Sequence, residues 1–277
     1  MRNILLYLII SASFTGVSQG ADWFWRPLGE SESHNLVCKN KICDGKTYET
    51  AWRLSSFRLE INPEGSVDLS QMSDGDTLYV CGRHFRSNYD NRLLINHSNI
   101  TVSGMCPEDL GSLEGSGIHI AYSNNITIMS LDFIGLDSAG RAIQFVGSSN
   151  IRIQDNYIRG YREGIASMHN RAVLSHNVNI VRNTLLDVGQ GITSNSYSGN
   201  ENNSWTIAHN HIENVGKGRY QFGMVNAEAI GIQGGEHHRI QYNRIRNATF
   251  GINLFACENH TARDIHITDN VISHISG

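Results

Sequence analysis

The side chains best equipped for chemistry gather in residues 215–238, VGKGRYQFGMVNAEAIGIQGGEHH, which hold Lys217, Arg219, Tyr220, Glu228, Glu236, His237 and His238. This mixture suits β-elimination from a uronate chain. There the carboxylate must be neutralised to acidify the neighbouring C–H, a base must take that proton, and an acid must assist the departing oxygen. Lys217 or Arg219 fits the base or the neutraliser, and Tyr220 and His169 fit the proton-transfer roles. A Ca²⁺ ion on hard oxygen ligands, with Glu228 and Glu236 as candidates, is an alternative neutraliser; no cofactor is required outright. Hydrolysis needs two carboxylates facing one glycosidic bond. Glu163 with Glu228 or Glu236 is the available set, but no Asp–Asp pair falls on consecutive outward positions, so elimination is favoured. The short cluster CENH, residues 257–260, lacks partners at metal-ligand spacing. The competing reading of residues 215–238 is a solvated insertion without chemistry.

Residues so far apart act together only if the fold brings them to one wall, and a repeat supplies that wall. The pattern Ile-x-x-Asn-x-Ile recurs as IQDNYI, IVRNTL, IAHNHI, IQYNRI and ITDNVI, with Asn156, Asn183, Asn210, Asn243 and Asn270 in the polar slot. Three of the four Asn-to-Asn steps are 27 residues and the step from Asn210 to Asn243 is 33, so the chemically rich segment lies in a lengthened repeat. IMSLDF is an earlier copy with Leu131 in the Asn slot, and NITVSG, from Asn99, is an earlier rung still. Gly164-Ile165, Gly191-Ile192 and Gly251-Ile252 each follow their Asn by eight residues.

The apolar runs alternate by two and are short, which argues for strands; helices need apolar positions three and four apart over longer runs. A repeat of this length built from strands is a solenoid. The expected fold is all-β: a right-handed parallel β-helix whose coils stack about 4.8 Å apart. In it the Asn column takes the left-handed backbone at a corner and hydrogen-bonds along the stack. Alternation turns Thr193, Asn195, Gln233 and Asn253 outward if Ile165, Ile192, Ile232 and Ile252 point inward. With Arg162, Glu163 and Tyr197 these residues form a strip suited to a polyhydroxylated, acidic glycan.

With the Asn and Gly-Ile landmarks, the entry GDTLYVCG (residues 75–82), the link LGSLEGSGIHI (110–120) and the preceding GKTYETAW (45–52), the chain resembles the pectin-lyase-like superfamily. The resemblance covers roughly residues 74–277. It implies an exported parallel β-helix closed at its N-terminal end by a short helix, for which residues 47–61 are the candidate, with residues 21–73 as the capping segment. Trp23, Phe24 and Trp25 are expected to pack at the same end. The superfamily holds polysaccharide lyases, glycoside hydrolases, esterases, epimerases and non-catalytic adhesins and spikes, so the motifs specify the fold more than the reaction. A non-catalytic glycan-binding or surface-structural solenoid is therefore the alternative to a lyase.

Arg2 ahead of an apolar run and small residues at Ser18 and Gly20 form an export-signal pattern over residues 1–20. The apolar run is too short for a stable membrane span, and a secreted, periplasmic or cell-surface location follows. Export permits disulfides. Cys38 and Cys43 lie close enough to close a small loop, Cys81 and Cys106 end two strand-like runs, and Cys257 is left over. The net charge of -4 and the scattered Lys and Arg exclude a nucleic-acid surface, so the expected partner is a polysaccharide, met by a monomer. The last repeat stops after its Asn slot, which suggests that further coils follow Gly277.

Overall fold

The computed structural model describes residues 72–276, apart from 86–92, 106–109, 116, 137–139, 169–173, 196–201, 217–226 and 256–261; ahead of them it describes strands between residues 22 and 47. The repeating segments form three parallel sheets that wrap one core, as a right-handed parallel β-helix. Each coil runs through a strand of the first sheet, turns at the Asn slot into the third sheet, and crosses to the second sheet. One such coil is Ser149–Gln154, Tyr157–Arg159 and Glu163–Ser167. Each of these strands pairs in parallel with its counterpart one coil away, for example Ile153 with Ile180 and Ile158 with Leu185.

Alternation within each strand buries one apolar set. Ile128, Ile153, Ile180, Ile207 and Ile240 stack on one wall, Phe133, Ile158, Leu185, Ile212 and Ile245 on another, all fully buried. Burying an aliphatic side chain contributes about 2 kcal/mol, so the repeated Ile is the main source of cohesion between coils.

The Asn column is inside this wall. The Asn156 backbone N–H and Nδ2 both donate to Asn183 Oδ1, at 3.0 and 2.9 Å, and the pattern repeats from Asn183 to Asn210, Asn210 to Asn243 and Asn243 to Asn270. Each Nδ2 also donates backwards, to Ile128, Ile153, Ile180, Ile207 and Ile240 carbonyls in turn. At the Leu131 slot the side-chain ladder ends, and the Leu131 N–H donates to Asn156 Oδ1. The expected left-handed corner is displaced by one position. Ser130, Asp155, Arg182, His209, Tyr242 and Asp269, each immediately before the slot, all have φ between 55° and 57°. The Asn side chain must reach along the stack from inside the core. The strained backbone therefore falls on its solvent-side neighbour.

The Gly of the Gly-Ile landmark has a steric cause. A Cβ on Gly191 would lie 2.2 Å from the Ala229 carbonyl oxygen of the next coil, and one on Gly164 would lie 2.6 Å from Leu185 Cδ2. In the lengthened coil the alignment expected from the motif is off by two residues. Ile192 pairs with Ile230, and Ile230 with Ile252, so Ala229-Ile230 fills the landmark and Gly231-Ile232 lies beyond it.

The N-terminal end is covered by strands. Asp22–Pro27 adds to the first sheet in parallel, with Trp23, Phe24 and Trp25 opposite Leu78, Tyr79 and Val80, and pairs antiparallel with Asn35–Lys39. Ile42–Cys43 and Lys46–Thr47 continue that antiparallel run. Thr47 is thus in a strand, and the rest of the expected capping helix lies outside the described residues, as do the signal segment, Cys106 and Cys257. Among the described residues there is no helix, and none long and apolar enough to cross a membrane.

Candidate functional site

The outward side of the second sheet carries a polar strip that is buried. Its strands include Arg141–Val146, Glu163–Ser167, Gln190–Ser194, Glu228–Gln233 and Phe250–Phe255. Register stacks Arg141, Glu163, Gln190, Glu228 and Phe250 in one column. His119, Gln144, Ala166, Thr193, Gly231 and Asn253 form a parallel column, three residues beyond the first in each strand the two share. Gln144, Thr193, Glu163 and Glu228 are buried, although each is polar and none belongs to the apolar core.

The two acids are handled differently. Arg141 holds Glu163 by a two-point ion pair, Nε to Oε2 at 2.5 Å and Nη2 to Oε1 at 2.8 Å. Glu228 is met by amides: Gln190 Nε2 donates to Oε2 at 3.0 Å and Asn253 Nδ2 to Oε1 at 3.4 Å. Glu228 faces outward, since a Cβ on Gly231 would meet Glu228 Cβ at 3.6 Å. A Cβ on Gly231 would also lie 3.3 Å from Phe255 Cε2, so the Phe255 ring fills the place of the missing side chain beside the Glu228 carboxylate. Two rungs separate Glu163 from Glu228, which places their backbones roughly 10 Å apart at the usual strand spacing.

Of the residues expected to bind substrate, Glu163, Thr193, Asn195 and Asn253 share this face, and Gln233 lies on it, aligned with Phe255. Asn195 is engaged in a corner: its N–H donates to Ser167 Oγ at 2.7 Å and its Nδ2 to the Ser167 carbonyl at 2.9 Å. Arg162 is exposed at the edge where the strand begins. Lys217, Arg219, Tyr220, His169 and Tyr197 lie outside the described residues. The first three fall in the connection leading into Glu228–Gln233, and the last two in connections leaving neighbouring second-sheet strands.

Glu228 and Glu236, expected together as ligands, are not brought together. Glu236 lies in a separate two-stranded ribbon, Gly235–Glu236 with Ala262–Arg263, where Arg263 is its ion-pair partner. Among the described residues no group of three or more His, Cys, Asp or Glu side chains is arranged for a metal. Gln190 and Asn253 turn their amide nitrogens to Glu228, so the carboxylate is the single oxygen group this trio presents, and it does not fit the six to eight oxygens that Ca²⁺ takes.

His238 belongs to the core rather than to the charged segment in which it occurs. It occupies the inward position after Trp205, edge-on to the indole at 6.5 Å. The Trp205 N–H donates to Nδ1 at 3.2 Å, so Nε2 carries the proton and donates to the Gly234 carbonyl at 3.2 Å. Burial pulls its pKa down to about 4, against the smaller opposing effect of the Gly234 carbonyl.

Arg141, Gln144 and Gln190 were not singled out by the motif reading. Their signal is positional: Glu163 and Gln190 each stand immediately before a landmark Gly, a slot the hydrophobic pattern leaves free. Comparison with family models, with curated proteins and with solved structures finds no match to this chain.

Proposed function

We propose that this chain is an exported member of the pectin-lyase-like superfamily that cleaves an acidic polysaccharide by β-elimination on its second-sheet face. The observation that carries the reading is the outward strip in which Glu163, Glu228, Gln144 and Thr193 are buried and Gln190 and Asn253 half-buried. Stacking alone is served by the inward residues; polar groups sheltered on the outer side suit a bound, hydrogen-bonding chain. The ion pair to Arg141 occupies both oxygens of Glu163. This favours elimination over a mechanism needing two free carboxylates.

In the reaction, Lys217 or Arg219 neutralises the uronate carboxylate or removes the neighbouring proton, and Tyr220 or His169 transfers the proton to the leaving oxygen. Asn253, Thr193 and Gln144 hydrogen-bond sugar hydroxyls. Glu228 accepts from a sugar hydroxyl. Hydrolysis is the second reading, favoured by one observation: Glu163 and Glu228 share a column two rungs apart, a spacing near that of inverting carboxylate pairs.

The test is incubation with a panel of uronate polysaccharides, with calcium and with a chelator, following both the ultraviolet absorbance of an unsaturated product and new reducing ends. Absorbance rising with reducing ends supports elimination; reducing ends alone transfer the reading to hydrolysis. Neither signal with any uronate rejects cleavage and leaves a binding solenoid.

A further inference from the structure

A second ligand surface lies on the first sheet, away from the strip just described. Its outward positions form a column, Thr101, Thr127, Arg152, Asn179, Thr206, Arg239 and His266, rung on rung. Between the later coils this face is hollowed into an open concavity of about 500 Å³, lined by Asn177, Asn179, Ser204, Thr206, His237, Arg239, Asp264 and His266.

The charges around it are committed, with one exception. Asp264 is hydrogen-bonded on one oxygen to His237 Nδ1 at 2.5 Å and on the other to His266 Nε2 at 2.7 Å. Those contacts hold its carboxyl below the ordinary range. Glu236 is paired with Arg263, and Arg152 donates to Gln154. The Arg239 guanidinium is exposed and makes no side-chain hydrogen bond or ion pair among the described residues. An uncommitted guanidinium over a hollow of hydroxyl and amide groups matches an oxyanion carried on a polyhydroxylated chain. It gives a charged donor fork, and its neighbours at one-rung intervals add neutral donors and acceptors.

We infer that this hollow is a second binding site for an acidic glycan, with Arg239 taking a carboxylate or sulfate and Thr206, Ser204 and Asn179 taking the adjoining hydroxyls. It shares only its ligand class with the function proposed above and requires no catalysis. It would hold a long polysaccharide on one side of the solenoid while another stretch of it lies on the second sheet.

The experiment is a titration of the full chain with galacturonate oligosaccharides, with sulfated and with neutral oligosaccharides of equal length, following backbone amide NMR shifts. The expected result is that the Asn179, Thr206 and Arg239 amides move together with one of the anionic ligands and not with the neutral one. The tighter of the two anions identifies the group recognised. Arg239→Gln should weaken that curve about tenfold, the effect of losing a charged hydrogen bond, while shifts at Thr193 and Asn253 keep their own curve. The inference is overturned if the first-sheet amides do not respond to either anion, if the neutral ligand moves them equally, or if Arg239→Gln leaves the curve in place. Failure of the cleavage assay would not alter these readings, because they come from different residues and need no turnover.

Discussion

Two columns of buried polar side chains climb this solenoid, and they differ in what they leave available. In the Asn column, from Asn183 through Asn243, each Oδ1 takes two donors from the preceding coil and each Nδ2 donates to an oxygen on either side, so the column is closed upon itself. In the second-sheet column the side chains change from coil to coil, through Arg141, Glu163, Gln190 and Glu228, and pair locally. Glu228 accepts one amide donor on each oxygen and keeps lone pairs beyond them. A repeating side chain with every group matched serves cohesion; a varied column that leaves carboxylate lone pairs unmatched suits the proposed ligand. The difference lies in whether hydrogen-bonding capacity is exhausted internally, since both columns contain buried polar groups.

The sharpest way to break that contrast is to open the closed column. Asn183→Ala removes the acceptor of the Asn156 N–H and Nδ2 and the donor to the Ile153 carbonyl. It should cost about 4 kcal/mol, since each buried group left unmatched costs about 1–3 kcal/mol, read as a lowered denaturation midpoint with unchanged m. A loss under about 1 kcal/mol would mean that the ladder is not a main source of cohesion.

A smaller effect is expected from the core imidazole. The folded-state pKa of His238, about 4, lies below the unfolded value near 6.5, so the neutral form is the one the fold favours. Its contribution is complete above about pH 6.5 and is lost as pH falls towards 4, by about 3 kcal/mol in all. Stability measured over that window should decline in the wild type and more shallowly in His238→Gln, whose amide keeps both hydrogen-bonding roles without titrating. Parallel curves would refute the assignment.

Glu228→Gln probes the open column. Stability should change by less than about 1 kcal/mol, because the two amide neighbours can rotate to match the new group, whereas turnover on an acidic glycan should fall about 100-fold. Equal turnover in the two proteins would remove Glu228 from the site. The smallest expected change is at the exposed counterpart of the ladder, where Asn125 Nδ2 donates to Asn99 Oδ1 at 2.6 Å. Asn125→Gly keeps the left-handed backbone accessible and should shift stability by no more than about 0.5 kcal/mol. A shift as large as that of Asn183→Ala would show that burial is not what separates the two kinds of Asn.

The stacking was legible in the sequence because Asn and Ile recur at fixed phase, and a one-residue error would have turned every Ile outward. What escaped was set by geometry between coils. The left-handed residues are as varied as Arg182, His209 and Tyr242, so the turn leaves no single-letter mark. The lengthened coil offers two candidates for the landmark, Ala229-Ile230 and Gly231-Ile232, and only pairing to Ile192 and Ile252 chooses between them. His238 sits in a charged run and looked solvated, while its place beneath Trp205 depends on a bend at Gly234 and Gly235, both with positive φ. The face of Thr193 and Asn253 was readable from alternation, but the shelter over it was not.

The ladder also makes the architecture tolerant of some length changes and hostile to others. Asn156 and Asn183 stand 27 residues apart and offer the same amide in the same direction. Excising that whole interval would present Asn183 to Leu131 as Asn156 is presented now, with every column intact, whereas losing one residue within a strand would invert the side chains beyond it. For this molecule the natural unit of insertion, duplication or surgical shortening is an entire turn of the solenoid.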